Sequence, residues 1–337
     1  MIVLNTGSSG HVLALAFHPD GKHLLGGYNG GIQRWQLTDG QEVGKQTGMQ
    51  LRAISVSRDR KWIVCGTFDG ASVWDGELRK KAIDVEGKNG VWAVDVSPDS
   101  IRFATGTHRQ KVTIWNIETG ERLVGPLNHD NPGSGSIAAI RFSPRGEQIA
   151  TACFGGESIR IFDSHNGSEL IAIKTTTPTG AFSANAITLL TWSSDGQQIF
   201  AASKGNKIRC FNVSTGLQLA ESLQILPNHN NADDVYSIAL AANGKFIATF
   251  ADRSISLLDV STLARICPII EGDERIWSIA ISTDSRYLAA GRFDGKTIVY
   301  HLDKILPDSY GPFHVGIYSS IIGVSQTSLL LLRMLTN

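Results

Sequence analysis

One short pattern of apolar and polar positions recurs along the chain: apolar, any, small or polar, apolar, any, apolar, then a turn. It reads VLALAFHPDG from Val12, LRAISVSRDR from Leu51, VWAVDVSPDS from Val91 and IAAIRFSPRG from Ile137. It continues as ITLLTWSSDG from Ile187, VYSIALAANG from Val235 and IWSIAISTDS from Ile276. Successive starts lie 39 to 50 residues apart. Helical periodicity is absent. Short apolar runs bounded by Gly, Asp, Asn and Ser predict strands joined by tight turns. Each unit holds four such runs. IRFATGT (101–107) is a second run, and FDG at 68–70 and 293–295 marks the hairpin that follows. Third runs end near Trp35, Trp74, Trp115, Phe162, Phe211, Leu258 and Tyr300, and weaker fourth runs such as ERLVGP (121–126) close the units.

A lone four-stranded sheet cannot cover both of its faces, whereas sheets stacked around an axis cover one another and closure removes the end blades. Seven units of this size therefore predict an all-β protein, a seven-bladed β-propeller of four-stranded antiparallel blades. Unit seven stops after its third run, at TIVYHLD (297–303), while Ile2-Val3-Leu4 stands alone before unit one. Residues 2–5 are thus expected to be the outer strand of blade seven, paired with 297–301. The propeller is assigned to 1–303 and a tail to 304–337. Within the tail, SSIIGVSQTSLLLL (319–332) reads as the opening strands of a truncated eighth repeat or the end of a longer array.

Gly10-His11, the turn HPDG (18–21), the hairpin FDG and Trp74-Asp75 resemble the repeats of WD40 proteins, over about residues 1 to 303. The resemblance implies a hydrogen-bonded set in each blade: a His before the inner strand, a Ser or Thr on the second strand, an Asp in the hairpin and a Trp. No unit here holds the whole set. Unit one keeps His11 and Trp35 but has Asn29 at the Asp position. Unit two keeps Asp69 and Trp74, with Cys65 on the second strand. Unit three keeps Thr105 and Trp115 but has Arg109 in the hairpin. Units six and seven keep Asp252 and Asp294 without the Trp. Each such bond contributes about 1 kcal/mol net, so the fold survives the losses. Apolar packing at Leu25 and Leu258 is expected in their place.

Composition narrows the function. The 31 Lys and Arg balance the 31 Asp and Glu, so there is no long-range pull toward nucleic acid or anionic lipid. The one basic triplet, Arg79-Lys80-Lys81, is flanked by Glu77 and Asp84 and reads as a solvated blade edge. No run reaches the roughly 18 apolar residues of a membrane span. The four cysteines form no close pair and read as buried, reduced thiols. With no leader-like start, this predicts a cytoplasmic or nuclear protein. Catalytic spacings such as HExxH, GxSxG and the phosphate-binding glycine loops are absent. His18 and His23 lie five apart across a turn, and spacing singles out no further metal ligand, so no metal or cofactor is assigned. Distant residues can still converge in a propeller channel, which keeps a channel enzyme or small-molecule binder as an alternative.

The resemblance also implies where a partner binds. Two positions per WD40 blade look over the upper mouth of the channel: the second residue of the inner strand and the residue before the hairpin Asp. The first set is Leu13, Arg52, Trp92, Ala138, Thr188, Tyr236 and Trp277. The second is Tyr28, Phe68, His108, Gly155, Lys204, Ala251 and Phe293, with repeat four carrying an extra hairpin residue. Tyr28, Arg52, Phe68, Trp92, His108, Tyr236, Trp277 and Phe293 form an arc of residue types common in binding hot spots. The arc faces the long connections 128–136, 175–186 and 227–234. Trp92, Tyr236 and Trp277 share strand parity with Val94, Ile238 and Ile279, so packing between blades is the competing role. The expectation is a non-catalytic scaffold binding protein or peptide partners, as a monomer or within a larger complex. A ubiquitin-ligase substrate receptor is a further alternative. Such WD40 receptors often carry Arg or Lys two residues after Trp-Asp, where Trp74-Asp75-Gly76 is followed by Glu77.

Overall fold

In a computed structural model, the structure describes residues 1–5, 10–86, 90–129, 135–154, 156, 158–175, 187–203, 207–222 and 237–311. The predicted truncated repeat at 319–332 lies outside them, as do most of the long upper connections. The described strands form seven four-stranded antiparallel sheets. Inner strands run Val12–Phe17, Leu51–Val56, Val91–Val96, Ile137–Phe142, Ile187–Trp192, Ser237–Leu240 and Ile276–Ile281. They line a central channel, and each blade then steps outward strand by strand.

The ring closes as a joint between its two ends. Ile2 pairs with Val299, Val3 with Ile298, Leu4 with Thr297 and Asn5 with Lys296, so the partner strip is 296–299. Leu4 is 1% exposed and packs with Val299 and Ala289 of blade seven and Leu24 and Trp35 of blade one. The first turn of chain thereby fills the last interblade core.

Apolar packing between neighbouring blades holds the ring, in line with the sandwiched faces. Between blades one and two lie Leu25, Ile32, Leu51, Ile63, Cys65 and Leu78. Leu258 is buried in the blade five–six core. Close to the axis the wedge between blades narrows, and glycine recurs there. A Cβ on Gly27 would lie 2.0 Å from Leu51 Cδ2, one on Gly106 would lie 2.5 Å from Ile137 Cγ2, and one on Gly291 would lie 2.7 Å from Val12 Cγ1. In each case the neighbour is the first residue of the next inner strand.

Polar bonds cross the same seams. Asp95 of blade three is half-buried, its Oδ2 accepting from Phe142 N at 2.8 Å in blade four and its Oδ1 from Ser55 Oγ at 3.5 Å in blade two. Burial pushes its carboxyl above the usual range, against the opposing pull of Arg141. Trp192 Nε1 donates to Arg141 O at 2.9 Å, and Ser278 Oγ donates to Val12 O at 3.0 Å. At the HPDG turn, Asp20 accepts from His23 at 2.6 Å and sits 2.9 Å from His18 Nδ1. Arg34, 3% exposed, carries this cluster across the seam to Glu77.

The sets implied by the family resemblance survive only in part. Trp115 Nε1 donates to Thr105 Oγ1 at 2.9 Å, as the resemblance implies. Trp74, facing Cys65 instead of a hydroxyl, donates to Ser72 Oγ at 2.9 Å on its own strand. Trp35 is 1% exposed and packs as a plain apolar group. The hairpin carboxylates hold arginines: Asp294 pairs with Arg292 at 2.8 Å, and Asp252 with Arg275 at 3.0 Å. Asp69 is exposed, its backbone N donating to Thr67 Oγ1 at 3.2 Å.

The chain past the last strand turns back over blade six. Leu302 and Leu306 are buried against that blade, and Tyr310 OH donates to Asp259 Oδ2 at 2.7 Å. No helix among the described residues is long and apolar enough to cross a membrane.

Candidate functional site at the upper mouth of the channel

A cavity of about 220 Å³ opens at the axis and is lined by inner-strand residues of all seven blades, among them Leu13, Arg52, Trp92, Ala138, Leu189, Ser237 and Trp277. Its upper rim is where inner strands begin and where the hairpins after the second strands turn. A backbone irregularity repeats at this rim. The inner-strand register shifts between Val12 and Ala14, Leu51 and Ala53, Val91 and Ala93, Ile137 and Ala139, Ile187 and Leu189, and Ile276 and Ser278. Two residues there oppose one. A bulge breaks the two-residue alternation and re-aims the extra side chain. The residue left without a partner is Leu13, Arg52, Trp92, Ala138, Thr188 or Trp277, the inner-strand set singled out from the sequence. Their parity with Val94 and Ile279 therefore does not commit Trp92 and Trp277 to the interblade core.

The side chains gather into two groups. In the first, the Arg52 guanidinium lies 4.2 Å from the Phe68 ring centroid and 4.6 Å from that of Trp92. Trp92 meets Phe68 edge-on at 6.1 Å, Phe154 edge-on at 6.3 Å and His108 at a tilt at 6.3 Å. The His108 Nδ1 is hydrogen-bonded to Ser136 Oγ at 2.6 Å. In the second, Trp277 lies 5.0 Å from Phe293 and 6.1 Å from His11, which it stacks on. His11 Nδ1 donates to the Phe293 carbonyl at 2.7 Å. The His of the blade-one set thus braces the mouth of blade seven, because Asn29 leaves it no hairpin carboxylate in its own blade. Phe68, Phe154 and Trp277 are 38%, 40% and 41% exposed.

Two placements differ from the sequence reading. Tyr28 is 2% exposed, its ring folded over Gly30, where a Cβ would meet it at 2.7 Å. The absent side chain at Gly30 lets the ring lie down, so Tyr28 offers no free surface. In blade four the aromatic is Phe154, not Gly155: the extra hairpin residue moved the count by one. Phe154 N donates to Ser136 O at 2.9 Å, which fixes the ring at the rim. Ala251 is buried. Tyr236, Gly155 and Lys204, and the side chain of Thr188, lie outside the described residues.

Burial pushes the thiols of Cys65 and Cys210 up to about 12 and about 11, so neither is a thiolate near neutral pH. His18, Asp20 and His23 do come together, with Asp20 supplying the third group that spacing did not single out. Arg34 Nη2 sits 3.8 Å from Asp20 Oδ2, so a fixed cation already faces this carboxylate. Burial lowers the pKa of His18, against the pull of Asp20.

Comparison with known proteins gives the same architecture. The family model for the WD domain, G-beta repeat, matches residues 3–36, 80–116, 220–259 and 266–301. The matched windows are offset from the blades: 80–116 starts at the outer strand of blade two, and 3–36 starts within the strand that closes blade seven. The chain is 24% identical over 236 residues to eukaryotic translation initiation factor 3 subunit I of Candida albicans, covering 66% of this chain and 65% of that protein. It is 29% identical over 168 residues to small ribosomal subunit protein RACK1 of Caenorhabditis elegans, covering 49% and 50%. It is 28% identical over 215 residues to autophagy-related protein 16 of Arabidopsis thaliana, covering 62% and 38%. The match thus spans less than two thirds of the length of each of these relatives. With four repeats matched by the family model and seven four-stranded blades closed by the N-terminal strand, the chain is a seven-bladed β-propeller carrying WD40 repeats.

Proposed function

We propose that this propeller is a non-catalytic recognition module that binds protein or peptide partners at the upper mouth of its channel. The observation that carries the reading is the repeated bulge, which turns Arg52, Trp92 and Trp277 out of the strand alternation beside the hairpin rings Phe68, Phe154 and Phe293. Inner strands and the tight hairpins beside them present these rings, so little ordering entropy opposes binding. Aromatic and Arg anchors on such a scaffold are the side chains that dominate interfaces. Two relatives are named as components of assemblies, a subunit of an initiation factor and a small ribosomal subunit protein, and this supports a place within a larger complex.

A channel enzyme would draw on Asp95, the carboxylate that burial perturbs most clearly toward the neutral form. Both of its oxygens are engaged in bonds across the blade seams, which is a structural task. The substrate-receptor alternative loses further ground because Glu77, at the position where those receptors carry a cation, is held by Arg34.

The test is quantitative mass spectrometry of partners captured from the source cells. Wild type is compared with a Phe68→Ala, Trp92→Ala, Trp277→Ala, Phe293→Ala variant whose circular dichroism and melting match. Selective loss of a protein from the variant supports the upper mouth. An unchanged set of partners overturns it.

A further inference from the structure

Arg52 is the least satisfied cation of the channel mouth among the described residues. Its Nε is buried and makes no hydrogen bond, and none of its N–H groups meets a protein acceptor among the described residues. Burial lowers its pKa, with no carboxylate to oppose the shift. Among the described residues, those lining the cavity include Arg52 and Arg141 and no Asp or Glu. Arg141 already donates to Ile140 O at 2.8 Å and feels the Asp95 carboxylate. Among the described residues, Arg52 is therefore the lining cation without a partner.

Its surroundings fix how it is used. Phe68 and Trp92 lie within cation–π distance, at 4.2 and 4.6 Å, and stacking on a ring engages a face of the guanidinium. The N–H donors lie in its plane, at the edge, and they match the two oxygens of a carboxylate. We propose that Arg52 anchors an acidic side chain, an Asp or Glu of a partner peptide, inside the collar of Phe68, Trp92 and Phe154. This rests on the upper-mouth reading and adds the partner's chemistry to it. Apolar atoms of the same peptide would lie on the second ring group at Trp277 and Phe293. The charge complementarity is one-sided, because the mouth supplies the cation and the partner must supply the anion.

The test is selection of a phage-displayed random dodecapeptide library on the whole chain, followed by binding of the synthesised consensus peptide. Enrichment of a fixed Asp or Glu is expected. Changing that residue to Gln or Asn, or Arg52→Gln in the protein, should each weaken binding about tenfold or more, as loss of a charge-assisted pair requires. The two changes together should cost little more than either alone. Arg52→Lys should recover part of the affinity, since it restores the charge without the planar fork. Peptides that need Trp92 and Trp277 but carry no fixed acid, and bind Arg52→Gln unchanged, would overturn the acidic anchor and leave the upper mouth standing. Enrichment of basic motifs would also overturn it. A selection that enriches nothing, or only peptides indifferent to Trp92→Ala and Trp277→Ala, would overturn the upper mouth together with the anchor.

Discussion

Gly27 tests whether the blades meet as closely as the fold requires. An added Cβ would lie 2.0 Å from Leu51 Cδ2, 3.0 Å from Ile54 Cδ1 and 3.2 Å from Leu51 Cγ. Ordinary carbon contacts are about 3.5–4.0 Å, so the methyl overlaps Leu51 by more than an ångström. Leu51 is 0% exposed, and its cluster leaves no free side to rotate into. Overpacking of this kind costs about 1–3 kcal/mol. Replacing a strand glycine by alanine recovers roughly 0.5–1 kcal/mol of backbone entropy. The overlap wins, and Gly27→Ala should destabilise by about 1–2 kcal/mol, within the bounds of those two estimates. Leu51→Ala should cost about 2–5 kcal/mol by leaving a cavity. The double variant should be more stable than the sum of the two by at least about 1 kcal/mol, because the new methyl enters the vacated space. Urea and thermal unfolding of the four proteins measure this cycle. A neutral Gly27→Ala, or effects that add within about 0.5 kcal/mol, would refute the close approach of blades one and two.

Three further outcomes are expected. Leu4→Ala should cost about 2–5 kcal/mol and raise amide exchange along 296–301, since Leu4 is the buried residue of the closing strand; unchanged exchange would refute closure through this strand. Tyr310→Phe should remove about 1 kcal/mol of stability at neutral pH. Asp259 sits at about 2 because bonds from Ser261, Tyr310 and Thr262 outweigh its burial, so its contribution is complete above the ordinary 3.8 and lost as pH falls through about 2; an Asp259 titration that does not move up in Tyr310→Phe would refute the docking of the chain end. Asp95 has the opposite sign: its folded pKa is raised, so the stability of the protonated form is full below the ordinary 3.8 and declines as pH rises toward the raised value. Asp95→Asn keeps a carbonyl oxygen for Phe142 N and should gain on wild type as pH climbs from about 4 to 7, and a pH-independent difference would refute this.

The repeat by itself determined the blade count, the four runs per unit and the closing strand. Each of these depends on local alternation and turn chemistry, which are written residue by residue. Even the degenerate sets were legible as losses at Asn29, Cys65 and Arg109. Their replacements were not. His11 reaching Phe293 across the seam, and Arg34 joining Glu77 to the His18, Asp20 and His23 turn, pair residues that only ring closure or blade stacking brings together. At the mouth, residue counting singled out Arg52, Phe68, Trp92, Trp277 and Phe293, which the structure gathers into two ring groups. It missed Phe154 by one position and misjudged Tyr28, because a hairpin's extra residue and the space over a glycine change direction without changing the pattern. The bulge decided the rest. A two-residue alternation read from sequence assigns Trp92 and Trp277 to an interblade face. One unpaired backbone residue in each of six inner strands, visible only in the register of the sheet, turns them toward the mouth.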